Sequence, residues 1–297
     1  MLEDGVDARL MTAEEADGYY ELTVPSSTKL EVFRRSPQEY HGRFVAGTIP
    51  DPDNQAMING RALHAAVLEW DVFTARYCRR PRPAEQPDFS ELGKPQSKAY
   101  RAALKAWRET EMRRVESLVG GRTMLDDVDM DRVVGMSVAL EEHELARKML
   151  AAPGRNEVSA FYRHRPSGLV VRIRWDKLLG EDGPADAIVD LKSTSSVGPE
   201  AFAMSSARFG YHRQAALYID AHEALWGTRP PFYSITVHNV APFEVAVYEY
   251  DSDTISAGRR QASHSLIDLA ERIRTNNWLA DWSASMHELR LPAWSLE

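Results

Sequence analysis

Cysteine is almost absent from this chain: Cys78 is the only one among 297 residues. One thiol excludes an intrachain disulfide, a four-cysteine zinc site and a cysteine-ligated iron–sulfur cluster. Long apolar runs are missing too, and nothing approaches the ~20 residues that a membrane-spanning helix requires. Basic charge is in deficit, with 36 Lys and Arg against 44 Asp and Glu, a formal net charge of −8. Such a surface repels polyanions, so a nucleic-acid-binding chain of this sign must gather its basic residues locally. The first residues, with Glu3, Asp4 and Asp7, lack the basic-then-apolar layout of a secretory signal, and the expectation is a soluble, cytoplasmic protein.

With 43% hydrophobic and 27% charged residues, the chain can bury a sizeable core. A single domain is expected over 1–297, mainly helical over 1–155, with strands and helices over 156–250 and a C-terminal helix and tail over 251–297. Thr23, Val24 and Pro25 lead from a loop into a helix with a Ser or Thr N-cap, ending near Ser36 and Pro37. A Pro/Asp/Asn-rich loop over 50–54 precedes a helix expected over 56–75, with His64 inside it. Residues 79–87 are too proline-rich for regular structure and predict an exposed loop. A long helix is expected over 94–118, with Tyr100, Leu104 and Trp107 on one side. Lys94, Lys98, Arg101, Lys105 and Arg108 form a basic stripe on the other.

Another helix is expected over 130–150, and the strand-rich section opens near Asn156. Arg165, Pro166, Ser167 and Gly168 suit a hairpin turn. Pro199 suits a first helical turn, Gly210 separates that helix from one over 211–225, and strands follow over 232–238 and 244–250. A last helix, capped by Ser252 or Asp253, should reach about Trp278. This order predicts an α/β (α+β) fold, a central mixed sheet flanked by helices with an N-terminal helical elaboration.

The stretch 187–194 ends an apolar run with Asp190 and Lys192, two residues apart and therefore on one face of a strand, with Val189 and Leu191 on the other. A second strand, 168–176, places Leu169, Val171, Ile173 and Trp175 on one face and Arg172, Arg174 and Asp176 on the other. Neighbouring strands of this kind would offer Asp176 and Asp190 to one cation, with a lysine alongside. In the helix that follows, Tyr211, Gln214 and Tyr218 share a face.

Aspartate, thirteen residues, then Asp-x-Lys resembles the signature of the PD-(D/E)XK nuclease superfamily. Gln214 and Tyr218 resemble the extra motif of its RecB-like branch, and Gly60 followed by His64 resembles the helix that supplies a histidine ligand there. Over 26–221 the chain resembles the exonuclease VIII (RecE-type) family of phage recombination exonucleases, related more distantly to lambda exonuclease. The resemblance includes Gly93 and Lys94 opening the long helix, and Asn156 and Glu157 opening the strands. Trp175 stands where the signature's proline would precede the first aspartate.

The resemblance implies a restriction-endonuclease-like core and a Mg2+ or Mn2+ ion held by Asp176, Asp190, His64 and the Leu191 carbonyl. Lys192, its pKa lowered by the cation, would orient or deprotonate water or stabilise the phosphate. Glu157 would be a further carboxylate, for a second metal or for positioning water, or else a supporting acid. Gln214 and Tyr218 would touch DNA or brace the ligands. Backbone contacts are expected from Arg79, Arg80, Arg82, Lys94, Lys98, Arg101, Lys105 and Arg108. The activity implied is degradation of linear duplex DNA, 5′ to 3′, leaving 3′ tails for a RecT-type single-strand annealing protein, by a ring-shaped homo-oligomer. An endonuclease or nickase with the same site, and an inactive DNA-end-binding module, are the alternatives.

Overall fold

The computed structural model describes residues 2–290 except 4, 20–23, 51–53, 83, 93, 284 and 285. Expectations touching Thr23, the loop acids Asp51 and Asp53, Pro83 and Gly93 lie outside the described residues. The N-terminal part carries β1 (Ala8–Leu10), α1 (Ala13–Asp17), α2 (Ser27–Arg35), α3 (Pro37–Tyr40), α4 (Gln55–Leu68) and α5 (Trp70–Arg76). Then come β2 (Tyr77–Arg79), α6 (Lys98–Val119), β3 (Thr123–Leu125), α7 (Asp127–Glu142) and α8 (Glu144–Ala151). The strand-rich part holds β4 (Gly154–Arg163), β5 (Val170–Leu179), β6 (Ala187–Thr194), α9 (Pro199–Phe209), α10 (Tyr211–Trp226), β7 (Phe232–His238), β8 (Val245–Glu249) and α11 (Ser252–Thr275).

Local chemistry sets most boundaries. Ser26 caps α2 by accepting from the Lys29 amide. Gly210, at φ 79, ends α9 in the left-handed region that glycine tolerates, so α10 can set off in a new direction. Where the structure departs from expectation, tertiary or capping contacts are the cause. The helix expected over 56–75 breaks at Glu69, and Asn156 Nδ2 of β4 donates to the freed Leu68 carbonyl at 2.7 Å. The helix expected over 130–150 breaks at His143, whose Nδ1 accepts from the Ala146 amide and caps α8. Ser97 caps α6, which leaves Lys94 outside it. Asp251, not Ser252 or Asp253, caps α11, and Asn276 at φ 52 stops that helix short of Trp278. Arg79, expected in a loop, ends β2, which pairs in parallel with β3.

A six-stranded mixed sheet runs in the order β1-β4-β5-β6-β7-β8. Only β6 and β7 are parallel, joined by the crossover through α9 and α10; the other pairings are antiparallel. Both faces are covered. Trp175, Leu178 and Ile188 pack with α2, α3, α10 and α11, while Val189, Leu191, Ile235 and Val237 pack with α4, α5 and α7. The sheet is therefore buried on both faces, which explains why β6 is buried over most of its length and opens on a run of three apolar residues, Ala187 to Val189. Among the described residues no helix is long and apolar enough to cross a membrane.

The close crossing of α10 and α11 depends on Gly258, where an added Cβ would collide with the His212 carbonyl oxygen. Gly258→Ala should destabilise the fold by about 1–3 kcal/mol, read as a lower Tm. Gly60→Ala, in open space on α4, should instead raise Tm by removing a helix-interior glycine.

Candidate functional site

The sheet is irregular at one place, and the conspicuous acids gather there. The β4–β5 ladder pairs Asn156 with Lys177 and Val158 with Trp175, bracketing Glu157 and Asp176 without pairing them. Glu157 sits at φ 49, a left-handed conformation that costs a non-glycine residue roughly 1–2 kcal/mol. Strand alternation fails at the same point: Trp175 and Leu178, an odd number of positions apart, pack into the same core. On the other side of β5, the ladder with β6 runs only from Leu179↔Ala187 to Lys177↔Val189. It stops before Asp176 and Asp190. There Asp176 Oδ2 accepts from the Leu191 amide at 2.7 Å, so a side chain continues what the backbone leaves off.

His64 reaches this gap from α4. Its Nε2 lies 2.9 Å from the Leu191 carbonyl oxygen, which can only accept, so Nε2 carries the proton. Its Nδ1 is 3.6 Å from both Glu157 Oε1 and Asp176 Oδ1. Burial alone would depress the His64 pKa, but Asp176 and Glu157 outweigh it and raise the value to about 9. Asp176 is itself raised by burial, opposed by His64 and Lys192.

Asp190 stands one strand further on and is 1% exposed. Lys192 Nζ lies 2.7 Å from its Oδ2, and Gln214 Nε2 of α10 donates to its Oδ1 at 3.2 Å. Gln214 also donates to the Tyr218 hydroxyl at 2.9 Å, and the Tyr218 carbonyl accepts from Trp175 Nε1. Burial lifts the Asp190 pKa to about 6 against the pull of Lys192. With no cation bound, Lys192 is held above its ordinary value: burial would lower it, but Asp190 and Asp176 prevail.

His64, Glu157 and Asp176 offer ligand atoms within 4.8 Å of one another, the only such cluster among the described residues. Glu157 Oε1 is buried without a hydrogen-bond partner, a costly arrangement that a cation would relieve. Two carboxylates and an imidazole suit Mg2+ or, better given the nitrogen, Mn2+. The donor set therefore fits the implied metal. Asp190 and the Leu191 carbonyl border this trio but are engaged by Lys192, Gln214 and His64.

The expected DNA-contacting residues lie elsewhere. Arg79 is paired with Asp127 and Asp131 of α7 at 2.8 and 2.6 Å, so its charge is already answered. Arg80 and Arg82 are exposed, as is Lys94 before α6. Lys98, Arg101, Lys105 and Arg108 lie on the exposed side of α6, a helix that buries only Val119 and packs mainly on Ser90–Leu92. Sequence reasoning missed the supports of Glu157. Its backbone distortion left no sequence signal, nor did Arg174, whose Nε is 3.9 Å from Glu157 Oε2.

This arrangement belongs to a recognised class. Residues 26–280 match the family described as "PDDEXK-like domain of unknown function (DUF3799)", and the chain belongs to that family. The match extends beyond the motif-bearing stretch to include β7, β8 and α11, which carry no motif of their own. In fold the chain is similar to the crystal structure of a "putative exonuclease" from Eubacterium rectale, with 12% sequence identity and a TM-score of 0.56 over 96% of this chain and 97% of that one. No curated protein matches it.

Manganese binding should depend on pH. A metal that takes the His64 nitrogen displaces a proton held up to pH about 9, so affinity should climb as pH rises toward that value and level off above it. Calorimetric titration with MnCl2 across this range measures it, and Glu157→Gln should weaken binding by about tenfold or more at each pH.

Proposed function

We propose that this chain is a divalent-metal-dependent nuclease that hydrolyses phosphodiester bonds at the ends of linear double-stranded DNA. The observation that carries the reading is the convergence of His64, Glu157 and Asp176 around an orphaned carboxylate oxygen, with Asp190 and Lys192 on the adjoining strand. A bound Mg2+ or Mn2+ would be held by Asp176, Glu157 and His64, with Asp190 and the Leu191 carbonyl as further ligands once they give up their present hydrogen bonds, and it would supply Lewis acidity and neutralise charge on the phosphate.

The chain's own groups do the rest. Lys192, with Nζ 2.7 Å from Asp190 Oδ2, supplies positive charge for the pentavalent phosphate. Gln214 fixes one oxygen of Asp190 and is itself aligned by the Tyr218 hydroxyl, so α10 sets the angle of the carboxylate. His64, anchored through Nε2 on the Leu191 carbonyl, presents Nδ1 to the acids. The buried setting strengthens each of these interactions.

Exonuclease polarity from 5′ to 3′, the 3′ tails, a single-strand annealing partner, a ring-shaped homo-oligomer and action in the cytoplasm as one nuclease unit over 1–297 are supported by the resemblance to exonuclease VIII. The exposed cations of α6 are the proposed backbone-tracking surface. Linear duplex labelled at the 5′ or 3′ end, and closed-circular DNA, should be incubated with and without Mg2+. Early release of the 5′ label, dependence on metal and an intact circle are expected; digestion of the circle would overturn the exonuclease assignment. Asp190→Ala should abolish cleavage and Lys192→Met should slow it about 10²–10³-fold, with circular dichroism reporting a retained fold.

A further inference from the structure

Beside the proposed site runs a column of aromatic rings that the hydrolytic chemistry does not use. The Lys192 ammonium lies 5.2 Å over the centroid of the Tyr211 ring. Tyr211 stacks on Phe202 at 6.0 Å and on Phe209 at 5.9 Å, both with interplanar angles of 30°. Phe202 stacks in turn on Tyr248 at 4.8 Å and 17°. Phe202 is buried, but Phe209, the last residue of α9, is 53% exposed. The Arg208 guanidinium lies 5.3 Å from the Phe209 ring centroid and has no ion pair among the described residues.

The turn that carries Phe209 is firmly held. Gly210 adopts φ 79, and an added Cβ there would collide with the Glu31 carboxylate. That carboxylate is clamped by the buried Arg213, with Nε and Nη2 each 2.6 Å from one of its oxygens. The exposed ring is thus presented by a rigid corner, already aligned with the ring that touches Lys192.

We propose that Phe209, backed by Tyr211, is a stacking platform for an unpaired nucleobase of the strand whose phosphate lies at Lys192, with Arg208 contacting a phosphate of that strand. This rests on the nuclease reading and specifies its substrate as an end with an unpaired base or a single strand. A base inside a duplex has both faces covered by its neighbours, so a ring can stack only where pairing has ended. Every base has a π-face, so such a platform is indifferent to sequence, as an enzyme that digests any end requires. The adjacent cation adds attraction for the phosphate and the stacked ring system.

The test uses a single-stranded oligodeoxynucleotide with 2-aminopurine near its 5′ end, titrated with the full chain in Ca2+. Stacking quenches the fluorophore. Wild type and Phe209→Tyr should quench it alike, whereas Phe209→Ala should lose the quenching and about tenfold in affinity. Arg208→Gln should reduce the salt dependence of binding by about one unit of slope. Equal quenching and affinity in wild type and Phe209→Ala, or no quenching by wild type, would overturn the inference. Because about half of Phe209 is in solvent, the alanine variant should melt close to wild type, and a melting curve separates lost stacking from lost fold. Cleavage of labelled linear duplex by wild type in Mg2+ reports the nuclease reading independently. Phe209-dependent quenching without any cleavage would count against that reading alone, and cleavage with Phe209-independent quenching against the platform alone.

Discussion

Three carboxylates, Glu157, Asp176 and Asp190, stand on three neighbouring strands between two apolar layers, and the surrounding structure is organised around compensating that concentration of negative charge. Isolated buried carboxylates would take up protons instead of remaining ionised. Burial does raise Asp176 and Asp190, and the opposing pull comes from His64 and Lys192. His64 enters from α4 on one face of the sheet. Lys192 comes from β6 itself, and Gln214 from α10 adds an amide donor on the other. One oxygen of Glu157 remains without a hydrogen bond, with the His64 ring nitrogen 3.6 Å away, which gives the site the character of a cation site.

The sheet accommodates this through a local loss of regularity. The β5–β6 ladder stops short of the acids, Asp176 takes over the next amide, and Glu157 departs from strand geometry. Backbone strain persists only where the surroundings over-determine it. Here Asn156, the residue before Glu157, is tied to the Leu68 carbonyl, so the end of α4 and the distortion of β4 are parts of one arrangement. The same contact interrupts the helix after the turn that carries His64, and so links the histidine's placement to that of the acid it faces.

Much of this could be read from the chain. Alternation in 187–194 correctly paired Asp190 with Lys192, and helical spacing put Gln214 and Tyr218 on one face, because both signals are local and periodic. Caps such as Ser26 and stops such as Gly210 were equally legible. The breaks at Glu69 and His143 were not, since the sequence continues with helix-compatible residues and the break at Glu69 goes with a side chain from a distant strand. Arg79 was expected to be available to DNA, but α7 supplies two aspartates whose proximity no spacing rule reveals.

By itself, then, the sequence determined the order of strands and helices from β4 onward and the faces on which Asp176, Asp190, Lys192, Gln214 and Tyr218 lie, because these follow from periodicity and capping within short stretches, whereas β1, β2 and β3 carried no such signal. Only the tertiary structure decided that Glu157 joins Asp176 and His64, that Lys192 pairs with Asp190 at 2.7 Å, and that the rings of Tyr211 and Phe209 continue outward from the site. Those outcomes depend on which distant elements meet and how closely. Coulombic and stacking forces act on separation in space, and separation in space is set only once both helical layers have closed on the sheet.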